Sequence, residues 1–292
     1  MTDLPVPEIS VIIPIYRQWE FLPDLIATLA AQEFPLRSRA EVLLIDNDPA
    51  DPTPRPALPD WIRLLPCPAP GSYAARNMGA AMARGRLLVF TDADCRPHPG
   101  WLSALYAAAE NRDPGGLLAG PVTMPVPKGA SVWQIFDAVR GIPQAAFVSR
   151  GYAATANLAM SRTLFEILGG FDARRLSGGD AEFCRRAGRQ GHALTLVPAA
   201  TVDHLARDNF TALALKARRI KGGQVASGPL RRRFFWTLRS LVPPLREAGH
   251  YLRSDHALRH RLIAIGIRVL LWGVELHEIT RLLLTRRPPE RR

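Results

Sequence analysis

The 292-residue chain has little cysteine: only Cys67, Cys95 and Cys184. They show neither metal-ligand spacing nor a disulfide framework, which excludes a cystine-stapled scaffold and points to a reducing compartment. No run of about 18 uncharged apolar residues is present, so an ordinary membrane-spanning helix is not expected. Residues 1–8 are acidic and proline-containing and lead straight into a strand, so no secretion signal is expected there. No internal repeat is visible. Pro14-Ile15-Tyr16-Arg17-Gln18-Trp19, after the first apolar run, lacks the glycines and lysine of a phosphate loop, which argues against a nucleotidyltransferase. Acidic residues are scarce at one end. Residues 205–292 hold 19 Lys/Arg against 6 Asp/Glu, whereas residues 1–150 hold 13 against 15. Such a basic segment seeks an anionic surface, either nucleic acid or an anionic bilayer.

Apolar residues make up 47% of the chain, enough for one large domain or one with an appendage. Ile9–Ile13 is a β-branched run ended by Pro14, and Phe21–Gln32 has helical spacing. Glu41–Ile45 reads as a second buried strand, residues 49–60 as a proline-rich loop and Ile62–Leu65 as a third strand. Ser72–Ala83 reads as a helix with a small-residue face, and Leu87–Thr91 as a fourth strand. This alternation predicts a mostly parallel sheet covered by helices. Further on, Pro99–Ala109 reads as a helix, Leu117–Val126 as a strand with Pro121 marking an edge or bulge, and Ala153–Met160 as a strand. Arg162–Leu168 and Asp180–Gln190 read as helices, and Ala193–Val197 as a strand. Residues 130–150 are poorly determined, with Val132, Trp133, Ile135, Phe136 and Val139 outlining a helix face. Beyond His204 the chain reads as helical.

Asp92-Ala93-Asp94 ends the fourth strand. Carboxylates at i and i+2 on a strand point to one side, where they can share a divalent cation and present it to a diphosphate. Asp-x-Asp is also common in surface turns, so the setting must decide. Ligands of open α/β sheets sit beyond the carboxyl ends of the strands, where Pro14, Asp46 and Asp92 all fall.

Seven pieces occur in order. They are Val11-Ile12-Ile13-Pro14-Ile15-Tyr16, Glu41-Val42-Leu43-Leu44-Ile45-Asp46-Asn47, Ala75-Arg76-Asn77-Met78-Gly79, Leu88-Val89-Phe90-Thr91-Asp92-Ala93-Asp94, Ala156-Asn157-Leu158-Ala159-Met160, Gly169-Gly170-Phe171-Asp172 and Gly178-Gly179-Asp180-Ala181-Glu182-Phe183. The ordered set, over roughly residues 9–204, resembles family 2 glycosyltransferases of the GT-A fold. That resemblance implies an α/β catalytic domain over 1–204, with a donor-binding half to about 125 and an acceptor-side half over 126–204. Residues 205–292 would be a helical basic extension. It also implies inverting transfer of a sugar from a nucleotide diphosphate donor, UDP by default, with Mn²⁺ or Mg²⁺.

Under the resemblance, Asp94 is the first choice for the metal, with Asp92 binding ribose, metal or both, and His204 completing the site or making a local hydrogen bond. Asp46 is the base-binding carboxylate or a turn residue. Pro14 and Tyr16 line the base, Arg76 meets the diphosphate, and Asn157 faces the donor sugar. Asn77 would hold local backbone or the loop carrying Asp92, and Asp203 would orient His204. Asp180, at a helix start, is the expected catalytic base, and Glu182 the runner-up or an acceptor contact. Many family members place Glu before this Asp, where this chain has Gly179. Trp133 is an acceptor-side candidate or core residue.

The tail motifs Lys216–Lys221 and Arg231–Trp236 combine cations with aromatics. Leu262–Leu284 is very apolar but interrupted by charge, which suits a helix lying in an anionic interface, or equally a helical subdomain or homodimer seam. The expected acceptor is a glycan or polyprenyl-linked glycan, and the expected place the cytoplasm, peripherally on the inner face of the cytoplasmic membrane. A non-catalytic nucleotide-sugar binding module is the alternative. A nucleic-acid binder would explain the charge but not the carboxylates at strand ends, so no nucleic acid is expected.

Overall fold

The computed structural model describes residues 6–111, 115–175, 177–226, 229–285 and 289. Residues 1–5, most of the acidic leader read above, lie outside that set. In chain order the elements are β1 (Ile9–Ile15), α1 (Leu22–Ala30), α2 (Leu36–Arg39), β2 (Ala40–Asp46), β3 (Ile62–Pro66), α3 (Ser72–Met82), β4 (Leu87–Phe90), β5 (Cys95–Pro97), α4 (Trp101–Glu110), β6 (Leu117–Ala119) and β7 (Val122–Thr123). Then follow α5 (Val132–Arg140), α6 (Gln144–Val148), β8 (Leu158–Ser161), α7 (Arg162–Ile167), α8 (Gly179–Arg189), β9 (Leu194–Leu196), β10 (Val202–His204), α9 (Phe210–Val225), α10 (Leu230–Leu241), α11 (Leu245–Leu252) and α12 (Leu258–Thr285).

The main sheet has the order β3-β2-β1-β4-β8-β6-β9. Its members run parallel except β8, which is antiparallel to both β4 and β6. Strand alternation divides the core. Val11, Ile13, Val42, Leu44 and Val89 face one apolar cluster, while Ile12, Leu43, Ile45, Leu88 and Phe90 face the other. Both faces are covered, which is why the strands read as continuous apolar runs. Helix α3 lies close on the second face, where a Cβ at Gly79 would come within 2.6 Å of Ile12 Cγ2.

Several boundaries differ from the sequence reading. Pro14 does not end β1 but sits inside it, opposite Ile45. The single strand expected over Leu117–Val126 is two short ones in different sheets. The break falls at Gly120-Pro121, where a Cβ on Gly120 would meet the Ala200 carbonyl and Pro121 has no N–H to pair. Only the end of Ala153–Met160 is strand, because Thr155–Asn157 forms a 3₁₀ turn. The undetermined stretch holds α5, opened by a capping box between Ser131 and Gln134, and α6.

The chain forms two compact units. One comprises residues up to Thr123, Ile142–Ala173 and Gly179–His204. The other joins Met124–Gly141 and Arg174–Gly178 to the chain from Leu205 onward, so the division is not a single cut at 204. This second unit has its own core of Ile135, Phe136 and Val139 from α5, Leu213 from α9, Tyr251 from α11, and Ala264 and Leu271 from α12. Beside that core the wholly buried Asp137 carboxylate meets Arg207 at 2.9 Å, Arg140 at 3.6 Å and Lys216 at 3.9 Å. Burial alone would raise its pKa, but the three cations outweigh that and hold it well below the usual carboxylate range. The very apolar stretch 262–284 is divided: Ala264, Leu271 and Ile279 are buried, Leu262, Val269, Leu270, Leu283 and Leu284 are exposed, and Arg268 and Lys221 each lie 3.2 Å from Glu275. No described helix is long and apolar enough to cross a membrane.

Candidate active site

The carboxyl ends of β1, β2 and β4 lie together, and the chain places acids there. Asp92 and Asp94 follow β4 directly. Strand β10 pairs antiparallel with β5 so that His204 opposes Cys95, one residue from Asp94. That register brings His204 Nε2 to 3.5 Å from an Asp94 oxygen, with both side chains buried. Among the described residues, Asp94, Cys95 and His204 form a group whose potential ligand atoms lie within 4.8 Å of one another. Burial and the charges of Asp94 and Asp92 push the Cys95 thiol up, and it makes a 3.9 Å contact to the Ala156 carbonyl. Sulfur is a soft donor and a poor ligand for a hard cation. The donor set that fits Mn²⁺ or Mg²⁺ is thus the Asp94 carboxylate with the His204 imidazole, an incomplete sphere that leaves room for phosphate and water oxygens.

Helix α3 supplies the other half from one face, through residues three apart. Arg76 is buried and its Nη2 donates to Asp92 in a short ion pair. Its Nε has no hydrogen-bond partner. One turn earlier, the Tyr73 hydroxyl accepts from the Gly179 N–H at 2.8 Å and donates to Asp180 Oδ1 at 3.4 Å. The Ala181 N–H also donates to Asp180, at 2.8 Å, in the first turn of α8. Burial nevertheless raises the Asp180 carboxyl, against the pull of that amide, of Arg76 and of Tyr73, and Asp92 adds to the rise. Gly178 adopts φ +71°, a left-handed backbone that favours glycine. A Cβ at Gly179 would lie 2.7 Å from the Tyr73 ring. A side chain at 179 would therefore have to displace that ring. Asp92 and Asp180 thus share one buried guanidinium, and Asp94 adds a third carboxylate held only by His204, an excess of negative charge that suits a cation.

Other expected site residues are placed differently. Asp46 is buried, but one oxygen accepts from the Asp48 N–H at 3.0 Å and the other from Arg55 at 2.9 Å, so it is turned to protein rather than presented to a base. Pro14 is buried in β1. Tyr16 is half-buried at the strand end, with the Arg17 guanidinium 5.3 Å from its ring centre and Arg17 itself at φ +56°. Asn157 does not face a sugar pocket. It is wholly buried, accepts from Trp101 Nε1 at 2.9 Å and donates to the carbonyls of Pro121 and Ala200. Every polar atom of its side chain is spent fastening the 3₁₀ turn to the β6–β7 break. Asn77 bonds the Phe171 backbone twice, at 2.8 and 2.9 Å, and not the Asp92 loop. Glu182 forms a bidentate pair with Arg186, which also holds the Gly170 carbonyl, so it is committed to structure. Asp203 points away from His204 to Thr123 and to His98, 3.2 Å distant. Trp133 packs on Phe210 within the second unit. A cavity of about 570 Å³, lined by Leu118, Met160, Leu164 and His192 among others, opens at the amino end of β4 and has no part in this cluster.

Tyr73, Cys95 and Arg55 were not singled out by sequence reasoning. The helical spacing of Tyr73 and Arg76 was the available signal for the first.

The family described as Glycosyl transferase family 2 matches residues 10–168. Glycosyltransferase AglE of Haloferax volcanii is 32% identical over 94% of this chain and 94% of its own. The succinoglycan biosynthesis protein ExoM of Rhizobium meliloti is 28% identical over 72% and 71%. Among solved structures, a mannosyltransferase from Pyrobaculum calidifontis in complex with GDP-Man and Mn²⁺ aligns with TM-score 0.57 at 17% identity, covering 96% of this chain and 88% of that one. GalNAc-T7 with UDP, GalNAc and Mn²⁺ aligns with TM-score 0.55 at 17% identity, over 98% and 59%.

Proposed function

Because the chain belongs to glycosyl transferase family 2 and is a sugar-transferring enzyme of the GT-A fold, we propose that it moves a sugar from a nucleotide diphosphate donor to a hydroxyl of a glycan or lipid-linked glycan, with inversion. The observation that carries this reading is the single cluster of Asp94 with His204 and of Asp92 and Asp180 with α3.

Asp94 and His204 would hold Mn²⁺ or Mg²⁺, which when bound offsets the charge that develops on a departing nucleoside diphosphate. Asp180 accepts the proton of the acceptor hydroxyl. Its raised carboxyl makes it a stronger base than an exposed aspartate. Arg76 neutralises Asp92 and, with its spare donor, is poised to meet a diphosphate oxygen. UDP is the default nucleotide and GDP the rival, since the two aligned structures carry one each. ExoM, named for succinoglycan biosynthesis, supports a glycan acceptor. The basic second unit supports a peripheral seat on the inner face of the cytoplasmic membrane, near a polyprenyl-linked acceptor. Homodimerisation through the same unit is the competing use of its surface.

Calorimetric titration with UDP and GDP, in Mn²⁺ and then in EDTA, tests the donor site. Metal-dependent binding of one nucleotide is expected. Binding that survives both EDTA and Asp94→Asn would overturn the cation assignment.

A further inference from the structure

In the second unit, exposed apolar side chains stand on α10 and also on α12, where Leu258, Leu262, Val269 and Leu283 are exposed; the α10 face is the one set among arginines. Helix α10 is docked through Ser240, whose hydroxyl accepts from Lys221 Nζ at 3.0 Å and whose carbonyl accepts from Trp272 Nε1 at 2.8 Å. Those bonds fix the rotation of the helix. On its other side Leu230, Phe234, Leu238 and Leu241 fall within an arc of about 80°. They are 77%, 66%, 49% and 56% exposed, and Phe235 beside them is 58% exposed. A dozen-residue helix that keeps its serine inside and its phenylalanines outside is inverted relative to a water-facing helix.

Charge identifies the occupant. Residues 209–246 contain nine Lys/Arg and no Asp or Glu, and Arg231 and Arg239 stand exposed on α10 itself. A two-fold contact with a second copy would set these cations against one another. A nucleic acid would satisfy the arginines but leave the phenylalanines and leucines without apolar cover. An anionic bilayer satisfies both, with phosphates for the guanidinium groups and acyl chains for the arc. We propose that α10, and not the longer and more apolar α12, is the element that seats this chain on an anionic membrane, with Phe234 and Phe235 entering the interface. This rests on the peripheral seat proposed above and specifies its contact surface.

The test is co-sedimentation of the full chain with phosphatidylglycerol vesicles and with phosphatidylcholine vesicles at low salt. The expected result is binding to the anionic vesicles, weakened roughly tenfold or more by Phe234→Ser with Phe235→Ser and left unchanged by Val269→Ser with Leu270→Ser on α12. Circular dichroism and nucleotide titration check that each variant is folded. Should the phenylalanine pair fail to fold, Arg231→Gln with Arg239→Gln serves instead and is expected to abolish the preference for anionic lipid. Wild-type binding by the folded phenylalanine variant, or loss confined to the α12 variant, overturns the assignment to α10. A wild-type chain that binds neither vesicle overturns the membrane seat itself. A dimer in light scattering that the phenylalanine variant disperses assigns the face to a second copy instead.

Discussion

The two units bury charge in opposite senses. In the first unit, Asp92 and Asp180 share one buried arginine and Asp94 stands against His204. In the second unit a single buried aspartate, Asp137, is surrounded by Arg207, Arg140 and Lys216. Neither cluster balances internally, but only the first lies at strand ends beside a helix start, where a ligand can complete it. The second is closed over by α5, α9 and the Leu205–Asn209 segment, so its imbalance is met by folding. A charge surplus is therefore a sign of function only where the fold leaves a way in.

The comparison breaks most sharply at Asp180. Asp180→Asn is expected to cut transfer by about 10³-fold or more while nucleotide binding persists, as a transfer assay beside calorimetry will read. Equal loss of both would make Asp180 a donor or folding residue. Next comes Asp94→Asn, expected to cost about 10²- to 10³-fold in turnover together with metal-dependent nucleotide affinity. Full retained activity would remove Asp94 from the cation site. On the other side of the comparison, Asp137→Asn leaves partly buried cations unmatched and is expected to cost about 3 kcal/mol in urea unfolding, with nucleotide affinity unchanged. Because the folded carboxyl is held low, its contribution is present above the ordinary aspartate range and lost as pH falls through the folded value. The variant should therefore lose stability less steeply in acid than the parent. The smallest effect is expected from Tyr73→Phe, roughly tenfold in transfer. Removing a hydroxyl that favours the carboxylate raises Asp180 further, so the acid limb of the pH profile should move to higher pH. An unmoved limb would reduce Tyr73 to packing.

Much of this was legible in the sequence. The apolar runs at Ile9, Glu41 and Leu87 mark strands buried on both faces, and Asp92 and Asp94 stand where the last of them stops. What escaped was long-range pairing. Asn157 reads as a polar residue near a sugar site, yet its partners Trp101, Pro121 and Ala200 lie 36 to 56 residues away in the chain. Glu182 reads as an acid beside the base, and only the return of Arg186 to the Leu168–Gly170 turn reveals its structural duty. The composition of 262–284 does not tell which of its residues pack on α5 and α9, because that division is set by tertiary packing that hydropathy does not report.

The close approach of Gly179 to Tyr73 makes the two positions epistatic. A glutamate introduced at 179 has no room beside an intact Tyr73 ring. The same exchange becomes admissible once residue 73 is small. Mutational libraries that vary 179 alone will therefore report an intolerant site, whereas paired libraries will find a second solution.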